Sequence, residues 1–238
     1  MKKKNKAIVV TGGSGRFGKI LKEKKLSNFV YPSRRELDIL NILSIEKYLK
    51  KKKPKILIHL AGLSRPLDLH EKQIERSISL NIQGTCNLVI ICKKLNIKIV
   101  YFSTSYVYPG IKGNYKEEDP LLPSSNYAWS KLGGECAVQM YKNSLILRMC
   151  MTERPFVHKS AFSDVKLNFI FQDEVVNILK KVINEKGVLN IGGPTKTVYD
   201  FAKKHNPNVK KISSKNLKKI KYQKNMSMNL AKLNKIIN

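Results

Sequence analysis

The sequence predicts an α/β fold in which a doubly wound parallel sheet is followed by a small C-terminal lobe. Three observations lead to this prediction. Short apolar runs rich in β-branched residues alternate with amphipathic helical segments through the first part of the chain. A glycine-rich turn follows the first apolar run directly, and hydroxyl side chains follow the fourth. The alternation weakens beyond residue 149, so we place the sheet domain at 1–149 and a lobe that does not fold independently at 150–238.

The chain is strongly basic. Its 238 residues include 46 Lys and Arg against 17 Asp and Glu, which gives a net charge of +29. Such a charge is compatible with a nucleic-acid or anionic-membrane partner. The lysines are spread through the whole chain, however, so we interpret the charge as a compositional bias and predict no nucleic-acid partner.

The cysteines and the apolar runs indicate a cytoplasmic protein. The four cysteines show no CxxC spacing and no paired histidine pattern, so we predict reduced core residues and no metal site. The apolar run 7–10 is too short for a signal peptide. No run approaches the roughly 20 residues that span a bilayer, so we predict no membrane partner.

A dinucleotide-binding turn is predicted at the start of the chain. The run 6–11 indicates a buried parallel strand, and a helix is expected over about 16–24. Between them, glycines at a GxxGxxG spacing would let the backbone approach a pyrophosphate at a helix N-terminus, as in a Rossmann-type domain. The candidate cofactor-binding residues of this turn are Gly12, Ser14, Gly15, Arg16, Phe17 and Gly18.

The end of the second strand, 28–31, favours NADP(H) over NAD(H). A cofactor with a free ribose 2′-hydroxyl usually meets an acid there, whereas this chain has Ser33, Arg34 and Arg35, which suit a 2′-phosphate. Asp38 could accept from an adenine amino group beside Ile39, or it could be a surface or helix-capping carboxylate.

A third strand, 55–60, follows a helix that we expect to begin with a cap at Ser44. The strand ends in small residues against which a cofactor could lie, and His59 within it is interpreted as a satisfied core residue. One long helix or two stacked helices are expected over 71–94. The cofactor-binding candidates in this region are Leu60, Ala61, Gly62 and Asn81.

The fourth strand, 97–102, precedes Thr104, whose hydroxyl could donate to a substrate carbonyl. A later helix, capped by Ser125 or Asn126, carries Tyr127 and Lys131 on one face, one turn apart. An ammonium beside a phenol lowers the tyrosine pKa, so Tyr127 could act as a general acid or base. By itself, in a chain this rich in lysine, the pair is more typical of a solvated helix face.

The second half of the chain is less regular. A fifth strand is expected at 144–149, and residues 150–167 are expected to be irregular and polar. A helix at 175–185 and a strand at 187–191 follow. Thr197 is expected to cap a further helix.

Together, the three glycines of the turn, Thr104 and the Tyr127-x-x-x-Lys131 pair resemble the extended short-chain dehydrogenase/reductase family. Further segments similar to that family's landmarks are 81–85, 117–119, Gly134 with Glu135, Arg148, 168–174 and 189–193. Residues 33–39 and 103–108 look most like dTDP-4-dehydrorhamnose reductases. Those enzymes carry Asp directly after the threonine, whereas this chain has Ser105.

The resemblance implies an NADPH-dependent reductase of a nucleotide-linked 4-keto-6-deoxy sugar. Tyr127 would protonate the developing alkoxide, and Lys131 would lower the Tyr127 pKa and hold the nicotinamide ribose, so both would also contact the cofactor. The implied substrate-binding residues are Thr104, Ser105, Tyr106 and Arg148.

Two alternatives within the family stay open: a nucleotide-sugar 4-epimerase, and a non-catalytic NADP-binding regulatory subunit. Dehydration is disfavoured because the dehydratases need an Asp-Glu pair after the threonine, where this chain has Ser105 and Tyr106. The resemblance also leaves open a homodimer that pairs through the two long helices flanking the sheet.

Overall fold

The computed structural model of the protein describes residues 7–216 and 223–238. They form two compact units, each made of separate stretches of chain. The first comprises the described residues up to Ser103, Ser125–Ile146 and Glu185–Gly187. The second comprises Thr104–Ser124, Leu147–Asn184 and the described residues from Val188 onward. This division cuts across the predicted boundary after residue 149, because the loop after the fourth strand pairs with a segment near the C-terminus: Tyr115 N–H donates to the Ser227 carbonyl at 2.9 Å.

The first unit contains the predicted parallel sheet. Its strands among the described residues are β1 (Ile8–Thr11), β2 (Phe29–Val30), β3 (Ile56–His59), β4 (Lys98–Phe102) and the start of β5 (Ser144–Thr152). Their order is β2-β1-β3-β4-β5, and β1 pairs in parallel with both β2 and β3. Strand order therefore reverses between β1 and β3, so the carboxyl ends of these two strands form the switch point where doubly wound sheets bind ligands. The predicted α/β fold class is confirmed.

Helices flank this sheet. They are α1 (Arg16–Glu23), α2 (Ile42–Lys52), α3 (Leu69–Lys72), α4 (Ile74–Ser77), a π-helical segment (Ile78–Gln83), α5 (Gly84–Lys94) and α6 (Asn126–Gln139). The predicted cap of α2 is wrong, because Asn41 is the N-cap and its side chain accepts from Ser44 N–H. The region predicted as one or two helices is divided into four helical pieces. Ser125 caps α6 by accepting from Ala128 N–H at 3.3 Å, one of the two predicted caps.

The second unit has more regular structure than expected. Its elements, besides the end of β5, are β6 (Ser160–Phe162), β7 (Lys166–Leu167), β8 (Phe169–Phe171), α7 (Gln172–Val182), β9 (Gly187–Ile191), β10 (Lys196–Thr197), α8 (Val198–His205), β11 (Lys210–Ile212) and α9 (Ala231–Ile237). The expectation of irregular chain over 150–167 is wrong for three segments and holds for 153–159 and 163–165. β5 continues to Thr152, and β6 pairs with β11 about 50 residues later, a partner that local sequence does not reveal. Thr197 caps α8 as predicted, accepting from Asp200 N–H at 3.0 Å.

The four cysteines are free thiols, but only two lie in the core. Cys92 and Cys150 are buried, whereas Cys86 is half-buried and Cys136 is exposed on α6. The prediction that all four are core residues is therefore wrong. Within the described ranges 7–216 and 223–238, no helix has the length and apolar character needed to cross a membrane. The same part of the chain contains no group of three His, Cys, Asp or Glu residues that could hold a metal ion.

Candidate active site

The glycine turn connects β1 to α1 with little room for side chains. Gly12 has φ of +72°, and a Cβ there would lie 2.5 Å from the Ala61 backbone nitrogen. A Cβ on Gly18 would lie 2.5 Å from the Gly12 carbonyl oxygen. α1 begins at Arg16 after an N-cap, Gly15, that has no side chain to cap the helix, so no N-cap side chain competes with an anion at this N-terminus. The turn thus fits a dinucleotide pyrophosphate.

The residues after β3 lie beside this turn. Leu60 N–H donates to the Thr11 carbonyl at 3.3 Å, and Ala61 N–H donates to Thr11 Oγ1 at 3.3 Å. Gly62 approaches the buried Asn81, since a Cβ on Gly62 would be 2.6 Å from Asn81 Oδ1. The structure thereby brings Leu60, Ala61 and Gly62 to the switch point, as the sequence predicted for a cofactor-binding strand end.

Asn81 holds two parts of the site together. Its Oδ1 accepts from Leu63 N–H at 2.7 Å, and its Nδ2 donates to the Leu63 carbonyl at 2.9 Å and to Ser130 Oγ at 2.8 Å. Ser130 in turn donates to the Tyr127 carbonyl at 2.8 Å. Asn81 is 2% exposed, so these bonds join the loop after β3 to the first turns of α6. Its cofactor contact stays a prediction.

The loop after β2 contains an acid, Glu36, on which the prediction of NADP(H) over NAD(H) did not draw. The Glu36 carboxylate accepts from Ser33 N–H at 2.8 Å and from Ser33 Oγ at 2.9 Å. These bonds lower the pKa of Glu36, which keeps it ionised. Arg34 Nε donates to Asp38 Oδ2 at 3.3 Å, and Asp38 Oδ1 accepts from Leu40 N–H at 3.0 Å. Asp38 therefore stabilises its own turn, and its contact with an adenine amino group stays a prediction.

The other predicted cofactor residues differ in exposure. Ser14, Arg16 and Arg35 are exposed. Phe17 is buried against the Phe102 ring, with centroids 5.2 Å apart. Ile39 is 6% exposed, and its side chain occupies the space where a Cβ on Gly84 would lie.

Tyr127 and Lys131 lie one turn apart on α6, and both are half-buried. The Lys131 ammonium is 4.2 Å from the centroid of the Tyr101 ring in β4. The rings of Tyr127 and the buried His70 form a T-shaped pair with their centroids 5.1 Å apart. Burial lowers the pKa of Lys131 to about 7, a change opposed by the negative charge of Glu135. The ammonium thus titrates near neutral pH.

His59 connects Lys131 to the switch point. It is the last residue of β3, in register with Thr11 of β1 and Tyr101 of β4. Its ring nitrogens are 3.0 Å from Thr11 Oγ1 and 3.0 Å from Thr85 Oγ1. Burial lowers its pKa to about 3, and the Lys131 charge adds to that effect. The predicted role of His59 as a satisfied core residue is confirmed.

The predicted substrate residues belong to the second unit. Thr104 is 3% exposed, and its Oγ1 accepts from Tyr106 N–H at 3.3 Å, so its hydroxyl proton is not used in that bond. Ser105 is fully buried, and Tyr106 is half-buried. Arg148 is 1% exposed and donates to the Tyr108 hydroxyl at 2.8 Å and to the Glu117 carbonyl at 2.9 Å. Both bonds are made by Nη1, and a substrate contact from Arg148 stays a prediction.

The family model for the RmlD substrate binding domain matches residues 6–179, which is more than half of the chain. The chain belongs to the RmlD substrate binding domain family. Among curated relatives, the dTDP-4-dehydrorhamnose reductase of Aggregatibacter actinomycetemcomitans is 30% identical over 196 residues, which are 79% of this chain and 62% of the relative. The methionine adenosyltransferase 2 subunit beta of Pongo abelii is 28% identical over 144 residues, 56% of this chain and 43% of the relative. This RmlD-family chain thus spans less than two thirds of the length of these curated relatives.

A solved structure gives the same fold. The dTDP-4-dehydrorhamnose reductase of Bacillus anthracis, in complex with NADP, superposes with a TM-score of 0.85 at 21% identity. The match covers 98% of this chain and 92% of that one. The predicted resemblance to dTDP-4-dehydrorhamnose reductases is therefore confirmed at the level of family and fold.

Several residues of this RmlD-family site could not be found from the sequence. The sequence around Tyr101 indicates only an apolar strand. Its contact with Lys131 could not be predicted because the two residues are 30 positions apart in the chain. His70 lay within a segment expected to begin a long helix. The role of Glu36, by contrast, could have been predicted. A glutamate three residues after a serine is the capping-box pattern, in which the carboxylate accepts from the serine N–H.

Proposed function

We propose that this protein is an NADPH-dependent reductase of a nucleotide-linked 4-keto-6-deoxy sugar, of the dTDP-4-dehydrorhamnose reductase type and of the extended short-chain dehydrogenase/reductase class. The observation that carries the proposal is the position of the Tyr127 and Lys131 pair. The Lys131 ammonium lies on the Tyr101 ring, and Tyr101 is in register with His59, which bonds to Thr11 directly before the glycine turn. These contacts support the proposal because Lys131, the proposed partner of Tyr127, lies near the strand ends from which the glycine turn begins.

A nicotinamide cofactor, when bound, supplies the hydride. The amides at the start of α1 and the glycines of the turn would hold its pyrophosphate. Ser33, Arg34 and Arg35 would receive a ribose 2′-phosphate, which is why we propose NADP(H) over NAD(H). The ionised Glu36 on Ser33 weakens this preference, since it repels a phosphate and could accept from a ribose hydroxyl.

Residues of the chain itself would supply the proton and stabilise the charge that this leaves. Tyr127 donates its phenolic proton to the keto oxygen as negative charge develops there, and the Lys131 ammonium stabilises the resulting phenolate. The proposal keeps Thr104 as a donor to the carbonyl oxygen, as the resemblance implies. Ser105 and Tyr106 would contact the substrate beside it.

Oxidation of NADPH by dTDP- and UDP-4-keto-6-deoxyglucose, followed by absorbance, tests the proposal, with NADH in parallel. Tyr127→Phe should fold and bind NADPH but lose turnover by about 10²-fold or more, as is typical when a general acid is removed. Tyr48→Phe, a half-buried tyrosine on α2, is the matched control and should keep full turnover. Retained turnover in Tyr127→Phe would remove this residue from the mechanism.

A second candidate is a non-catalytic NADP-binding regulatory subunit. Its support is the 28% identity to a protein named methionine adenosyltransferase 2 subunit beta. Tight NADPH binding without reduction of any 4-keto sugar would favour this candidate. Interconversion of nucleotide sugars without net loss of NADPH would instead indicate the 4-epimerase alternative.

Self-association and a cytoplasmic location also belong to the proposal. Large apolar side chains are exposed on the helices of the first unit: Ile74, Ile78, Ile90 and Trp129. Such residues suit pairing of two copies through helices, which sedimentation in solution would measure. The free thiols fit a reducing compartment.

A further inference from the structure

A buried carboxylate lies behind the proposed catalytic pair. Glu135 is on α6, four residues after Lys131 and eight after Tyr127, so the three side chains share one face of the helix. Glu135 is 0% exposed. An acid buried to this degree is unusual unless its charge is compensated, which raises the question of what Glu135 does.

Ser103 holds this carboxylate in place. Ser103 is the first residue after β4, and its hydroxyl donates to Glu135 Oε2 at 2.6 Å. A separation of 2.5–2.7 Å is characteristic of a hydroxyl bonded to an ionised carboxylate. Gln139 Nε2 donates more weakly to Oε1, at 3.4 Å. Ser103 and Gln139 thus give each of the two carboxylate oxygens of Glu135 a donor inside the protein.

Lys131 is the cation that Glu135 affects: the negative charge of Glu135 opposes the lowering of the Lys131 pKa by burial. Titratable groups near Lys131 include Tyr127 one turn before it and Glu135 one turn after it on α6, His59 on β3, Tyr101 on β4 and His70 on α3. Burial raises the pKa of Tyr101 well above its ordinary value and lowers the pKa of His59 to about 3, so both are neutral at pH 7. Among these groups, Glu135 therefore supplies the negative charge that opposes the desolvation of Lys131.

We propose that Glu135 is a positioning residue whose buried carboxylate, held by Ser103, keeps the Lys131 ammonium in its charged form. The consequence for turnover rests on the proposed role of Lys131 beside Tyr127, but the effect on Lys131 itself does not. Without Glu135 the ammonium would lose its protonated form at a lower pH, and Tyr127 would lose the adjacent positive charge.

The test measures Lys131 directly. The full-length protein is treated with an amine-reactive reagent over a pH series, and labelling of the Lys131 peptide is followed by mass spectrometry. Two charges one helical turn apart, at an effective dielectric constant of about 20, couple by roughly one to two pH units. Glu135→Gln should therefore shift the labelling midpoint of Lys131 down by about one pH unit or more. Glu75→Gln, which removes an exposed carboxylate on α4, is the matched control and should leave the midpoint unchanged.

A second variant guards against misfolding of Glu135→Gln. Ser103→Ala keeps the carboxylate but removes its hydroxyl donor, which destabilises the charged carboxylate, so the Lys131 midpoint should move down by less than about one pH unit. An unchanged midpoint in a folded Glu135→Gln protein would overturn the inference. If the Lys131 midpoint falls in Glu135→Gln but neither the unmodified protein nor the variants reduce a 4-keto sugar, the inference holds and the proposed reductase activity is refuted. If the unmodified protein is active, the alkaline limit of its turnover should move to lower pH in Glu135→Gln.

Discussion

Replacing Asn81 with alanine separates a structural role of this amide from the cofactor contact predicted for it. The amide satisfies Leu63 N–H, the Leu63 carbonyl and Ser130 Oγ, all in a buried environment. Alanine leaves the two backbone groups of Leu63 without partners, and each unsatisfied buried group costs about 1–3 kcal/mol. Ser130 keeps its bond to the Tyr127 carbonyl, so it adds little to the loss.

We therefore expect Asn81→Ala to lower the free energy of unfolding by about 3 kcal/mol, measured by urea denaturation at pH 7. Ser130→Ala, which removes one of the three partners, should cost only about 1 kcal/mol. NADPH affinity, measured by titration calorimetry well below the melting temperature, should fall only modestly. A change in stability below about 1 kcal/mol, together with a large loss of NADPH affinity, would refute the structural reasoning and make Asn81 a direct cofactor ligand.

The remaining predictions concern pH and cofactor choice. The Thr85 hydroxyl donates its proton to the backbone carbonyl of Asn81, so towards His59 it can only accept, and His59 Nε2 must be the donor. His59 Nδ1 is then the acceptor, and it accepts from the Thr11 hydroxyl, whose oxygen itself accepts from Ala61 N–H. Its pKa of about 3 in the folded state lies below the unfolded value of 6.5, so the unfolded state binds more protons between these values and stability falls as pH falls through this range. The unfolding free energy should drop by about 2–3 kcal/mol between pH 6.5 and 4.5, and His59→Gln should reduce this drop; an equal drop in both proteins would contradict the assignment. Glu36→Gln should raise the ratio of NADPH to NADH affinity several-fold by removing a negative charge from Ser33, whereas the control Glu23→Gln on α1 should not. An unchanged ratio would place Glu36 away from the ribose.

Much of the fold could be predicted because it depends on local patterns. Strands β1, β3 and β4 are continuous apolar runs, and the glycine turn needs residues without a Cβ. Thr197 is a typical N-cap residue and indicates the start of α8. The short strands of the second unit could not be predicted in this way. β6 and β7 are two or three residues long and form only because they meet β11 and β10 from distant parts of the chain.

The α/β class, the glycine turn and the placement of Tyr127 and Lys131 on one helix face could be predicted from the sequence, because spacing along a strand or helix defines these features. The electrostatics of the pair depends instead on tertiary packing. This packing set Lys131 over Tyr101, neutralised His59 by burial, and brought Ser103 to Glu135 across 32 residues of sequence. Such terms depend on burial and on partners from other elements. They follow from how helices and strands pack rather than from the residues of any one segment.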